Sequence, residues 1–221
     1  MKMQTRARIK QFIAVRPVLR SLYGAALVLR WRKEFERIGF VESQLRGESI
    51  DRFGMPLPWL SPSVLGLLEA HVPAGLSILE YGSGNSTLWW SKRASRVVAV
   101  EHDSEFHARL ASRLPGNVVS ILAPDSPDGV YEQAPARFGR VFDVIVIDGA
   151  RRVECACACL AFLNPQGVII FDNADRKDVL PGLEYLRKQG FRSIEIPGFC
   201  SLITWSNTTA IFYRDGNCLG L

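Results

Sequence analysis

Residues 78–90 read ILEYGSGNSTLWW. An apolar run reaches Glu80, turns through Gly82 and Gly84, and restarts with helical spacing through Leu88, Trp89 and Trp90. At the carboxyl end of a parallel strand, two glycines one residue apart let the backbone bend sharply and let a ligand approach without meeting a Cβ. The helix that follows turns its free N–H groups toward that ligand. The stretch therefore predicts a strand over 76–81, a helix over 86–93 and a ligand-holding turn between them.

The next strand, RVVAVEH (96–102), ends with Glu101, 21 residues beyond Glu80. An acidic side chain at this distance is where a ribose diol is held by two charge-assisted hydrogen bonds, so a nucleoside ligand is expected. A dinucleotide turn would place Gly or Ala at position 87 for tight packing beneath a pyrophosphate, and Thr87 stands there instead. A carboxylate at Glu80 disfavours a nearby pyrophosphate and suits a cationic sulfonium amino acid.

Outward from these two strands the chain alternates short β-branched runs with helical ones. NVVSIL (117–122), VFDVIVID (141–148), VIIFD (168–172), FRSIEI (191–196) and TTAIFYR (208–214) read as strands. Helices are expected through 104–114, through 151–163 until NPQG ends it, and through 179–189. This pattern predicts an α/β fold with a doubly wound, mostly parallel, seven-stranded sheet. Between strands six and seven, PGFCSLITWSN has too little periodicity for a crossover helix, so the last strand is expected to return antiparallel. Residues 60–221 make up this domain, and residues 1–59 an N-terminal helical arm with a lid or linker, GMPLPWLSP (54–62). Pro17 is expected to end one helical stretch and permit another over 18–38, with Leu19, Leu22, Ala26 and Leu29 on one stripe.

Net charge is +5 over 221 residues, but it is unevenly spread. Residues 1–37 hold ten Lys/Arg against Glu34 and Glu36, a net +8, which leaves the remainder at −3. A body of that sign argues against a nucleic-acid-gripping face. The arm is expected to make weak contact with anionic membrane surfaces. The longest uncharged run there, Ser21–Leu29, is far too short to span a bilayer, and no secretory signal is read. Three of the five cysteines form CACAC (155–159). Positions i, i+2 and i+4 of a helix fan around its axis and cannot share one ion, so small buried side chains in a reducing cytoplasm are the reading.

EYGSGNST, VEHD and DVIVIDGARR, with the antiparallel last strand, resemble the class I S-adenosylmethionine-dependent methyltransferases, in particular a bacterial subgroup of largely unknown acceptor. The resemblance covers about residues 60–215. It implies S-adenosyl-L-methionine as cofactor, with Gly82 and Gly84 along its methionine part, Glu80 at its amino end, Glu101 on the ribose and Asp148 closing the site. Tyr81, Ser83, Ser86, Thr87 and His102 are expected beside them. The family's frequent third glycine is absent here.

Asp148, His102 and Arg151 are the expected catalytic residues, since carboxyl ends of strands form the ligand edge of open α/β sheets. Arg151 and Arg152 oppose the dipole of the helix they begin, which suggests an anionic group on a small-molecule or glycan-like acceptor methylated at oxygen. Asp148, Asp172 and Asn173 also resemble the divalent-ion ligands of cation-dependent O-methyltransferases. The short connection and Asp-Gly-Ala depart from that pattern, so a metal is not the favoured reading. Two other readings stay open: a nicotinamide-dependent oxidoreductase, and a non-catalytic nucleoside-binding or membrane-associated module.

Overall fold

The computed structural model describes residues 12–221 apart from 140 and 204, and the side chains of 34 and 37 are not described. Lys2, Arg6, Arg8 and Lys10 of the basic arm thus lie outside the described residues. Among the described residues, seven strands form one sheet: β1 (Ser77–Tyr81), β2 (Arg96–Glu101), β3 (Val118–Leu122), β4 (Phe142–Ile147), β5 (Leu163–Phe171), β6 (Arg192–Phe199) and β7 (Ser206–Tyr213). Their order is β3-β2-β1-β4-β5-β7-β6, and β7 alone runs against the rest. The order reverses between β1 and β4, and there the loops after these strands part to open a crevice.

Because side chains alternate across a strand, each strand feeds two cores. Leu79, Val98, Ile145 and Ile169 face one side, packed under α8 (Arg152–Ala158) and α9 (Leu180–Lys188), with Cys155, Ala156 and Leu183. Ile78, Val97, Val144 and Ile170 face the other, under α4 (Pro62–His71) and α5 (Asn85–Ser91), with Val64, Leu68, Trp89 and Trp90. Each such apolar side chain contributes about 1.5–3 kcal/mol on burial. Helix starts follow local chemistry. Ser61 accepts the Val64 N–H ahead of Pro62, and Asp103 accepts the Phe106 N–H (2.8 Å) at the start of α6 (Ser104–Ala111). A single turn, α7 (Val130–Gln133), brings Tyr131 into the first core.

Four expectations are corrected. NPQG does not end a helix: α8 stops at Ala158, a 3₁₀ turn carries the chain to Ala161, and β5 begins at Leu163. Pairing jumps from Phe142–Leu163 to Val144–Val168, so Asn164–Gly167 form a bulge inside β5, where Pro165 costs no ladder hydrogen bond. Second, β6 runs on through Pro197 to Phe199; it is an edge strand, where a missing N–H is tolerated. Third, the helix expected over 18–38 is broken at Trp31 into α1 (Pro17–Arg30) and α2 (Arg32–Arg37), followed by α3 (Phe40–Arg46). The Leu19, Leu22, Ala26 and Leu29 stripe is uncovered, and no residue of α1 is buried. Fourth, in CACAC, Cys155 and Cys159 are buried, one on α8 and one at the 3₁₀ turn after it, but Cys157 is exposed, which corrects the expectation that all three are buried: two residues on from Cys155, it turns away from the core.

Candidate active site

Gly82 follows β1 with φ of 89°, and its N–H donates to Val100 O (2.8 Å). A Cβ there would sit 2.9 Å from Gly149 Cα, so the glycine is required by the loop after β4 passing beside it, not by a ligand. Gly84 is different. Its backbone is extended, with φ of 166°, and a Cβ would meet nothing closer than Phe106 at 3.9 Å. The space beside Gly84 is the open one.

Glu80 lies beneath the turn, 1% exposed, and lines neither cavity described below. Thr87 Oγ1 donates to its Oε2 (2.5 Å) and accepts from the Gly84 N–H (3.0 Å). Burial lifts the Glu80 carboxyl to about 8, against the pull of hydrogen bonds from Ser86 and Thr87. Thr87, at the position where a dinucleotide turn has a small residue, thus pins the glycine turn to the floor. Tyr81 also points down: its hydroxyl donates to Glu132 O (2.8 Å), and only its backbone meets the site, where Tyr81 O accepts from the Asp148 N–H (3.0 Å).

Glu101 closes the turn from the side. Its Oε2 accepts from the Ser83 N–H (3.0 Å) and hydroxyl (2.8 Å), and its Oε1 from the N–H groups of His102 (2.8 Å) and Asp103 (2.9 Å). His102 Nδ1 lies 3.1 Å from Oε1, with its ring edge-on to Tyr131. Both oxygens of Glu101 are thereby met by donors of the chain itself, Ser83 supplying the one hydroxyl among them.

Across the crevice, Arg152 gathers the ends of β4 and β5. Its Nε donates to Gly149 O (3.0 Å); Nη1 to Asp172 O (2.6 Å) and Asn173 Oδ1 (2.9 Å); Nη2 to Asp148 O and Oδ1 (both 3.0 Å). All five guanidinium N–H groups are thereby used. Asp172 is buried and accepts from the Thr209 hydroxyl (2.7 Å) and, more loosely, from Asn207. Burial, and next the Asp172 carboxylate, raises the Asp148 carboxyl, which Arg152 counters. Its side chain stays 31% exposed to the crevice, so solvent moderates that rise.

Arg152 thus stands between the side-chain oxygens of Asp148 and Asn173 and takes the main-chain oxygen of Asp172, whose carboxylate is turned to Thr209 and Asn207. Arg151 takes a left-handed backbone (φ 47°) and turns to Glu132, which it grips through Nε (2.9 Å) and Nη2 (3.2 Å), with Glu154 at 3.6 Å. It lines neither cavity, and with Arg152 fully engaged the expected anion-binding pair is corrected: these two arginines serve the protein's own carboxylates.

Two cavities flank the turn. The smaller, about 500 Å³, is bordered by Gly82, Ser83, Glu101, His102, Asp103 and Ala150, and the larger, about 740 Å³, by Gly84, Asn85, Ser86, Arg152 and Asp172. Ser83, Phe106 and Asp148 border both. The larger cavity is roofed by residues the sequence reading did not assign to the site: Ser49, Leu57 and Trp59 from one segment, and Leu202, Ile203 and Trp205 from the β6–β7 connection. Hydrogen bonds tie that roof down, from Asn85 Nδ2 to Ser49 O (2.9 Å) and from Gln44 Nε2 to Ser201 O (2.7 Å). The one sequence signal was Trp59 amid prolines, in the segment read as lid or link.

Residues 79–174 match the family model of a methyltransferase domain. That stretch contains Gly82, Gly84, Glu101, Asp148 and Arg152, so the likeness to a methyltransferase domain falls on the crevice itself. No curated protein matches by sequence. Among solved structures, precorrin-6y C5,15-methyltransferase from Geobacter metallireducens GS-15 is similar at TM-score 0.53 and 18% identity, over 68% of this chain and 86% of that one. Precorrin 8w decarboxylase from Methanobacterium thermoautotrophicum is similar at TM-score 0.51 and 22% identity, over 72% and 92%. Spermidine synthase from Thermotoga maritima is similar at TM-score 0.50 and 15% identity, over 69% and 58%. A methyltransferase, a decarboxylase and a synthase on one architecture show that these likenesses speak for the fold and not for the acceptor.

Proposed function

We propose that the protein transfers a methyl group from S-adenosyl-L-methionine to a hydroxyl of a small acceptor, the cofactor lying in the smaller cavity and the acceptor in the larger. The observation that carries this reading is the shared border: with Ser83, Phe106 and Asp148 lining both cavities, two small molecules can meet there. Proximity and alignment are most of what such a displacement requires. The cofactor supplies a methyl group already activated on a sulfonium sulfur.

The residues fit that group. Glu101 would hold the ribose diol in place of the Ser83 hydroxyl, with His102 and Asp103 beside it along the smaller cavity, while Gly84 leaves room on the acceptor side of the turn. Glu80 acts through Thr87 on the turn. Asp148, raised by burial and by Asp172, accepts the proton of the acceptor hydroxyl, and Arg152 holds it in place. Arg151 is a positioning residue, acting through Glu132 on Tyr81. The aromatic roof supports an acceptor with an apolar face, the glycan-like class included, since a sugar ring stacks on tryptophan through its C–H face. The guanidinium between Asp148 and Asn173 supports a reaction that ignores chelators.

Calorimetry with S-adenosylhomocysteine tests the reading. Glu101→Gln is expected to weaken binding by roughly ten- to hundredfold, the about 1.5–3 kcal/mol of charge-assisted hydrogen bonds. Unchanged affinity in a variant with unchanged melting temperature, or tighter binding of NAD by the wild type, overturns it.

A further inference from the structure

Helix α1 is the part of the molecule the site does not use. None of its fourteen residues is buried, and Val18 (72%), Leu22 (62%) and Leu29 (70%) are open to solvent, as are Phe12 and Trp31 on either side of it. On a helix at about 100° per residue, Val18, Leu22, Ala26 and Leu29 share one face, while Arg30 rises on the adjoining flank and Arg20 on the opposite side. The chain places nine Lys/Arg before its first acidic residue, Glu34, and the rest of the protein is negative.

We propose that α1 docks the protein on an anionic lipid surface, lying in the headgroup layer with its leucines toward the acyl chains. A helix of this length is about 21 Å, short of the roughly 30 Å hydrocarbon core, so it lies on the bilayer and does not cross it. Charge selects the occupant. A second copy docked through α1 would bring two copies of residues 1–37, each of net +8, against each other, whereas anionic headgroups neutralise them within a Debye length of about 8–10 Å. The arm continues through α2 and α3 into the segment carrying Ser49, Leu57 and Trp59, so docking holds the roof of the larger cavity next to the membrane surface.

The test is sedimentation of the full chain with phosphatidylglycerol–phosphatidylcholine vesicles and with phosphatidylcholine vesicles, at low and high salt. Anionic vesicles are expected to bind at least tenfold better at low salt, with the advantage shrinking as salt rises. The double variant Leu22→Glu, Leu29→Glu is expected to lose at least tenfold while keeping its melting temperature, since neither side chain packs on the body. A control, Arg20→Gln with Arg30→Gln, is expected to weaken only the anionic-vesicle binding. No vesicle binding, equal binding to both lipids, binding unaffected by the leucine variant, or a lipid-free dimer that the same variant dissociates would each overturn the proposal.

Discussion

After β1, two carboxylates organise a turn made of neighbours: Glu80 and Glu101 collect hydroxyls and N–H groups from Ser83, Ser86, Thr87, His102 and Asp103. After β4, one guanidinium does the gathering, and Arg152 collects oxygens from Asp148, Gly149, Asp172 and Asn173 on two different loops. The first loop is held by carboxyl oxygens that accept, and in the proposed function a ligand hydroxyl takes the place of the Ser83 hydroxyl there. The second is held by a cation with every donor engaged, and nothing can be substituted without breaking it. The lesson is that the exchangeable wall suits a bound nucleoside, while the fixed wall suits the alignment of a reacting group.

The sharpest way to break this contrast is at Arg152. Arg152→Met strands the Asp148 and Asp172 carboxylates without their cation and is expected to cost about 3 kcal/mol, measured by urea denaturation. A loss under about 1 kcal/mol would mean that the second wall is as exchangeable as the first.

The two glycines of the turn separate next. Gly82→Ala meets both a positive φ and the Gly149 backbone, and an expected loss of about 2–4 kcal/mol is read from the same denaturation curves. Gly84→Ala, extended and uncrowded, is expected to change stability by less than about 1 kcal/mol. Equal destabilisation by the two would contradict the division between a structural glycine and a ligand-side one.

The smallest effect belongs to Glu80. Its folded pKa of about 8 lies above the ordinary value of 4.5, so its protonated form is favoured by folding, and this contribution is complete below 4.5 and lost as pH rises through 8. Between pH 7 and 9 the loss is on the order of 1 kcal/mol. Glu80→Gln is expected to flatten that slope in thermal melts; a wild-type protein whose stability does not fall across this window would show Glu80 already ionised.

What the sequence by itself determined was whatever depends on neighbours along the chain. Glycine spacing after an apolar run set the first turn, β-branched runs set the strands, and the lack of periodicity between residues 197 and 207 set the antiparallel return, because backbone sterics and side-chain period act over a few residues. Glu101 was legible for the same reason, as the end of the next strand. The role of Thr87 was not, since its bond to Glu80 depends on the turn folding it back over the strand it follows. Nor was the choice between Arg151 and Arg152. Adjacent residues at a helix start differ by about 100° in direction, and only the packing of α8 against the sheet decided that Arg152 faces the crevice and Arg151 faces Glu132. The roof of Leu57, Trp59 and Trp205 joins segments about 150 residues apart, and the NPQG bulge answers the register of β4 across the sheet. Such contacts have no local signature, because the free energy that fixes them comes from apolar surface buried between distant parts of the chain.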